Sequence, residues 1–273
     1  MHFEQLEEAL SAFRTDHASR FGAALAFYIV LSIAPLAVIA VAVAGILFGR
    51  AAEGLIFHQI AGTLGPATAG AIEEMVKSAG APRVGFIATA LGLVTLVFGL
   101  IGIYAQIDDA LNTIWKVAQA DGGRAPLLAR IRAFALVLAV GCLLFVIVSA
   151  DAAIAITGKY AASHLLGGEL LWQAVQLTVS VIVLTILFAA VFRHIPIKKV
   201  FWSDVLPGAA FTAVLFVIGK FALGLYLGKA AVGSGYGAAG SLVVVLLWAY
   251  WSAQIFFFGL EFTHVYAGAT VQK

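Results

Sequence analysis

Six long apolar runs constrain this chain more than any other feature of its sequence. A helix that crosses the roughly 30 Å hydrocarbon layer of a bilayer needs about 20 mainly apolar residues. Six segments meet that requirement, namely residues 23–48, 84–104, 133–156, 170–191, 205–227 and 238–262. The strands of a membrane barrel would instead alternate in polarity over about 10 residues. These runs are apolar on all sides, so the sequence predicts six transmembrane helices.

Composition favours a single membrane domain over residues 1–273. Hydrophobic residues make up 63% of the chain and charged residues 11%, whereas ordinary soluble domains carry about 25% charged residues. The net charge of +2 gives no strongly basic surface of the kind that binds nucleic acid. The first apolar run is far longer than the core of a signal peptide, which has about 7–15 residues. We therefore expect that run to be a first span.

The placement of lysine and arginine predicts the orientation of the spans. Cytoplasmic loops of membrane proteins carry an excess of these residues. Ten of them fall on the side of both termini, and five fall on the opposite side: Arg50, Lys77, Arg83, Lys159 and Lys229. The sequence therefore predicts an all-α, polytopic membrane protein with six spans and with both termini in the cytoplasm.

Two connections between spans are expected to contain helices of their own. The long outer loop, residues 50–83, holds a helix-compatible stretch in which Glu73, Glu74 and Lys77 fall on one polar side. Such a pattern is typical of a helix that lies in the membrane interface. On the inner side, residues 106–117 are predicted to continue span two.

Small residues and one proline indicate how the spans pack. Gly85, Gly92 and Gly99 are seven residues apart and share one face of span two. Small residues on a common face let membrane helices approach closely, although the same pattern would also fit a hinge or a substrate groove. Pro35 removes a backbone hydrogen bond inside span one, so we expect a kink there.

Charged residues deep in the predicted spans are candidates for function. A charge at the bilayer centre costs at least about 2.5–3.5 kcal/mol and calls for a partner or a wet cavity. At 1.5 Å per residue, Lys220 and Asp151 lie roughly 24 and 27 Å from the inner boundary of their spans. An ion pair between them and separate snorkelling of each side chain to the outer surface both fit these depths.

A second group of polar residues lies near the inner ends of spans two, four and six. It contains Asp108, Asp109, Arg193 and Glu261. These residues are interpreted either as solvated or paired helix caps or as a coupling site. Tyr28 in span one would line a cavity or make an interhelical hydrogen bond. The candidate functional residues are therefore Lys220, Asp151, Glu261, Arg193, Asp109, Pro35 and Tyr28.

The sequence gives little support to soluble-enzyme chemistry. The six histidines are scattered, and no two have the spacing of metal ligands. The glycine-rich run from Gly233 to Gly240 lacks the Lys-Ser/Thr that would follow in a phosphate-binding loop. We therefore expect no enzymatic activity, no cofactor, no metal and no nucleic-acid partner.

Several segments resemble the YihY/BrkB family of bacterial inner-membrane proteins, and together they cover nearly the whole chain. They are ALAFYIVLSIAPL at residues 24–36, DDALNTIWKV at 108–117, FRHIPIKKVFWSDVLPGA at 192–209 and the stretch 224–262. The resemblance implies a multi-pass protein of the bacterial cytoplasmic membrane with both ends inside. The family once carried a ribonuclease name, which nothing in this sequence supports, and its members are also connected with export or lipid transport.

Two functions of different classes fit these observations. The first is a transporter that moves a lipid or another amphiphile between leaflets. Because the sequence has no nucleotide-binding motif, such transport would be downhill, ion-coupled or powered by a partner. The second is a non-transporting membrane scaffold or assembly factor in which the buried charges only fix helix register. Membrane lipids are the expected partners in both cases, and formation of a homo-oligomer is left open.

Overall fold

The structure, a computed structural model, describes residues 2–48, 70, 73, 86–116, 168–194, 201–229 and 240–271. The elements in these ranges are six α-helices: α1 His2–Thr15, α2 Ala18–Phe48, α3 Phe86–Ile114, α4 Gly168–His194, α5 Trp202–Lys229 and α6 Gly240–Val271. The predicted span 133–156 lies outside the described residues. So does the loop 50–83, apart from Gly70 and Glu73, which are both helical.

Four of the described helices contain stretches that are long and apolar enough to cross a membrane. These stretches are Ala90–Ile114, Ala174–Arg193, Trp202–Leu223 and Leu242–Gly268. In α2 the apolar stretch Ala18–Ile33 is shorter, and the helix continues without interruption across Pro35 to Phe48. These helices agree with the predicted helical membrane protein, while the kink at Pro35 stays a prediction.

Large apolar side chains cover the outer faces of these helices. On α3, Leu91, Val94, Phe98 and Ile101 follow one another at helical spacing, and all four are exposed. Exposed apolar surface of this extent marks contact with a membrane or a partner. A lipid-facing stripe on α3 is the simplest reason for it.

The described helix boundaries depart from the predicted ones at two places. α6 ends at Val271, well beyond the predicted end of span six at residue 262, because the polar residues that follow are also compatible with a helix. The residues before the first predicted span, for which no helix was predicted, form α1. Ala9 of α1 is wholly buried, whereas Glu4, Glu7 and Glu8 are exposed.

The chain forms two compact units, and the first contains residues 1–18, 108–217 and 255–273. Aromatic rings hold much of this unit together. Phe188 of α4 contacts Phe216 of α5 and Phe256 of α6 at centroid distances of 5.8 and 6.1 Å. Phe13 of α1 meets Phe258 of α6 at 5.9 Å. α6 is therefore the helix against which α1, α4 and α5 pack in this unit.

Two glycine–threonine contacts bring α5 and α6 close together. A methyl group on Gly208 would meet the side chain of Thr263, and one on Gly259 would meet Thr212. Each threonine hydroxyl donates a 2.7 Å hydrogen bond to the carbonyl oxygen of the glycine four residues earlier in its own helix. The order of the contacts makes the two helices antiparallel here, with the hydroxyls satisfied inside a dry interface.

The second unit contains residues 19–107 and 218–254. In it, Gly99 and Gly102 of α3 lie against Ser32 and Tyr28 of α2, again in antiparallel order. Gly92 was expected to share this interface, but no described residue lies within 4 Å of the position that its Cβ would occupy. The described close contacts of α3 with α2 are therefore at Gly99 and Gly102.

Candidate functional site

Glu261 is the most unusual polar residue that the structure describes. Its side chain has no exposed surface, and neither carboxylate oxygen has a hydrogen-bond partner among the described residues. Phe257 and Leu260, which precede it on α6, are also completely buried. Removing an ion from water to such surroundings costs several kcal/mol even after the protein relaxes, so an ionised Glu261 would destabilise the protein.

Glu261 does not lie at the end of the apolar part of α6. Sequence reasoning placed Glu261 at the end of span six, where solvation would be expected. The apolar stretch runs on to Gly268, so Glu261 lies roughly 10 Å inside its end at 1.5 Å per residue. The interpretation of Glu261 as a solvated helix end is therefore wrong.

Two further buried polar groups lie at the end of α3. Asn112 and Trp115 are three residues apart and so share one face, with 6% and 5% of their surfaces exposed. The Oδ1 atom of Asn112 and the Nε1 atom of Trp115 have no hydrogen-bond partner among the described residues. Most buried side-chain polar atoms in proteins have a hydrogen-bond partner. Two such atoms without a described partner within one helical turn therefore indicate a candidate functional site.

The end of α3 is held in place by a left-handed cap. The Trp115 amide still donates to Leu111 O at 2.9 Å, and the Lys116 amide donates to Thr113 O at 3.1 Å. Lys116 has φ 50°, a conformation with which helices commonly end. The chain therefore leaves the helix directly after Trp115, and the Lys116 side chain is exposed.

A ring contact joins the end of α3 to α6. The Trp115 ring meets the His264 ring edge to face, with centroids 5.0 Å apart and planes at 70°. His264 is three residues after Glu261 and so on the same face of α6. Lys116 and Asp16, which follows α1, are charged residues near Glu261. We use the name Glu261 cluster for Glu261, Asn112, Trp115 and His264.

The Glu261 cluster is short of hydrogen-bond donors. Its orphaned atoms are three acceptors, the two oxygens of Glu261 and Oδ1 of Asn112, and one donor, the indole N–H of Trp115. An ionised carboxylate only accepts hydrogen bonds, whereas a protonated carboxyl also donates one. The chemistry that suits this set is therefore the binding of a proton or of a cation.

The remaining candidates from the sequence lie in other surroundings. The Arg193 guanidinium is 4.5 Å from the ring centre of Trp202, a cation–π contact. Lys220 is exposed on α5, while Asp151 lies outside the described residues, so their pairing stays a prediction. Asp109 is half-buried, and its carbonyl oxygen accepts a 2.8 Å hydrogen bond from Thr113.

Tyr28 takes part in packing rather than lining an open space. Its ring lies against the backbone of Gly102 and 6.1 Å from the Phe98 ring. Its carbonyl oxygen accepts a 2.8 Å hydrogen bond from the Ser32 hydroxyl. Pro35 is half-buried one turn further along α2.

Sequence reasoning did not select Asn112, Trp115 or Asp16 as site residues. The first two were quoted only as part of a segment that resembles the YihY/BrkB family. Their spacing of three residues next to a predicted inner boundary was the available signal, because it places an amide and an indole on one helix face.

Comparison with known proteins identifies the family. The family described as "Virulence factor BrkB" matches residues 9–273. The chain is 27% identical over 247 residues to a UPF0761 membrane protein of Stenotrophomonas maltophilia (strain K279a), covering 87% of this chain and 55% of that protein. It is 28% identical over 263 residues to a UPF0761 membrane protein of Pseudomonas aeruginosa (strain LESB58), covering 90% of this chain and 59% of that protein.

The chain thus spans little more than half the length of the curated relatives that it matches. No solved structure matches it. The family match covers both halves of the Glu261 cluster, and the resemblance to the YihY/BrkB family is confirmed. This chain is an integral membrane protein that belongs to the BrkB family.

Proposed function

We propose that this protein is a transporter of the bacterial cytoplasmic membrane that moves a lipid or another amphiphile between leaflets. The observation that carries the proposal is Glu261, a carboxylic acid with no exposed surface and no described hydrogen-bond partner inside an apolar span. Ionisable residues within membrane spans are rare and commonly belong to substrate or proton pathways. We assign it no nuclease or other enzymatic activity and no nucleic-acid partner.

The proposed topology has six spans and two cytoplasmic termini. Two contacts within the first unit support a common side for the two termini: Phe13 contacts Phe258, and Gly208 near the start of α5 meets Thr263 of α6. The N-terminal arm, the start of α5 and the C-terminal part of α6 therefore lie at one end of this unit. Arg14 and Lys116 also belong to that end, which suits the cytoplasmic side.

A non-transporting scaffold is the competing function. The dry contacts of Gly208 with Thr263 and of Gly259 with Thr212 favour it, because a transporter must separate some of its helices during a cycle. A scaffold has no use, however, for a buried carboxylate that destabilises the fold. Replacing buried ionic groups by apolar ones is often stabilising, so stability alone gives no reason to keep an ionisable residue at this position.

Reconstitution of the purified chain tests the proposal. Vesicles that contain a phospholipid with a fluorescent headgroup label are treated with an impermeant reductant, which bleaches only the outer leaflet. With a transporter present, label from the inner leaflet should also be lost, at least tenfold faster than in protein-free vesicles. Bleaching that stops at the outer leaflet for phospholipids of anionic, zwitterionic and single-chain type would favour the scaffold.

A further inference from the structure

We propose that the Glu261 cluster is a proton-binding site in which the proton resides on Glu261. The inference adds a proton site to the proposed transport function. The role of the proton in transport rests on that function, whereas the existence of the site does not. The transfer is simple: a hydronium ion gives its proton to one carboxylate oxygen, an O–H bond forms, and water remains.

The proton is the ligand that the burial of the cluster favours. Glu261 has no exposed surface, and Asn112 and Trp115 are almost completely buried, so a ligand that needs little room suits the site. A bound proton also removes the negative charge that makes burial costly. The same neutralisation by a sodium ion would require several oxygen ligands, and the orphaned acceptors here come from only two side chains.

The proton also supplies the donor that the cluster lacks. A protonated carboxyl donates through its O–H and accepts through its carbonyl oxygen. The O–H can serve the oxygen of Asn112, which lies one turn before Trp115, the residue whose ring meets His264. A protonated Glu261 thus offers a donor to the Asn112 oxygen, whereas an ionised Glu261 leaves that oxygen without one among the described residues.

Among the described residues, the charged and titratable groups near Glu261 are Asp16, which follows α1, Lys116, which follows α3, and His264 on α6 itself. The α5 residues packed against this part of α6, Gly208 and Thr212, do not titrate. Phe188 and Phe192, through which α4 contacts α6, do not titrate either.

Infrared spectroscopy of the full chain in lipid nanodiscs tests the proposal without reference to transport. At neutral pH exposed glutamates are ionised, since their ordinary pKa is about 4.3, so a protonated-carboxyl band reports on a buried acid. We expect such a band in the native chain, its loss in Glu261→Gln, and its persistence in Glu8→Gln, a matched control on the exposed face of α1. In Asn112→Leu the band should move to higher frequency, because the hydrogen bond to the amide oxygen is gone.

Identical carboxyl bands in the native chain and in Glu261→Gln would overturn the proposal. So would a band that appears only when sodium is removed, since the site would then hold sodium under ordinary conditions. If Glu261→Gln fails to fold, Asn112→Leu decides the matter: a shifted band supports the site and an unshifted band contradicts it. A Glu261 band in a chain that moves no lipid would leave the proton site standing and refute the transport function.

Discussion

Gly208 of α5 lies directly against the side chain of Thr263 on α6, and one turn away the roles are exchanged between Thr212 and Gly259. Both threonine hydroxyls are engaged with their own helices, so neither can move aside without losing a hydrogen bond. A methyl group at Gly208 or Gly259 should therefore destabilise the protein by about 1–3 kcal/mol, the usual cost of overpacking. Thermal unfolding of Gly208→Ala and Gly259→Ala in detergent measures the effect.

Gly92→Ala is the matched control for this pair. It also lies on an apolar helix, α3, but its added methyl group would meet nothing within 4 Å. Alanine is favoured over glycine in a helix by about 1 kcal/mol, so this variant should be neutral or slightly more stable. Equal losses at all three positions would mean that glycine itself, and not the α5–α6 contact, determines the stability.

The contact of Gly102 with Tyr28 should show direct coupling between α2 and α3. Gly102→Ala places a methyl group against the Tyr28 ring and should lower the unfolding temperature. In a Tyr28→Ala background the same substitution should cost much less, because the ring that it meets is gone. The double-mutant cycle measures this difference, and strictly additive losses would contradict the described packing.

The sequence anticipated the type of protein better than the details of its site. Runs of apolar residues predicted α4, α5 and most of α3 because the hydrocarbon layer imposes a minimum length on any spanning helix. α1 was missed although Phe3, Leu6, Leu10 and Phe13 follow helical spacing. A short amphipathic helix is distinguished from a polar arm by what it packs against, and the contact of Phe13 with Phe258 is a tertiary fact.

The surroundings of Glu261 could not be predicted from the sequence for the same reason. An apolar run stops at the first polar residues, so the predicted span ended beside Glu261. The residue was therefore expected to be exposed to solvent. The actual helix continues, and residues distant in sequence bury the carboxylate. Likewise, Gly92 and Gly99 look alike in the sequence, but of the two only Gly99 lies against another of the described helices. Which neighbours a residue has cannot be read from its own helix.

Single cysteines introduced into a Cys142→Ala background should verify the topology. We expect an impermeant thiol reagent to label Ile60→Cys and Ser163→Cys from outside the cell and to leave Ala120→Cys and Val200→Cys untouched until the membrane is opened. The expectation follows from the ten-to-five distribution of lysine and arginine. The reverse labelling pattern would invert the proposed orientation. Labelling of two consecutive loops from the same side, such as those that contain residues 60 and 120, would mean that the predicted span between them does not cross the membrane.

The stability and the lipid-transfer activity of Glu261→Gln, measured on the same preparation, test the central claim most directly. Glutamine keeps the size of the side chain and cannot ionise, so the variant should unfold at the same or a higher temperature than the native chain. Its rate of lipid transfer in vesicles should nevertheless fall to that of protein-free vesicles, while Glu8→Gln keeps the native rate. A variant that transfers lipid as fast as the native chain would contradict a role for Glu261 in transport, and one that loses stability and activity together would make Glu261 a structural residue.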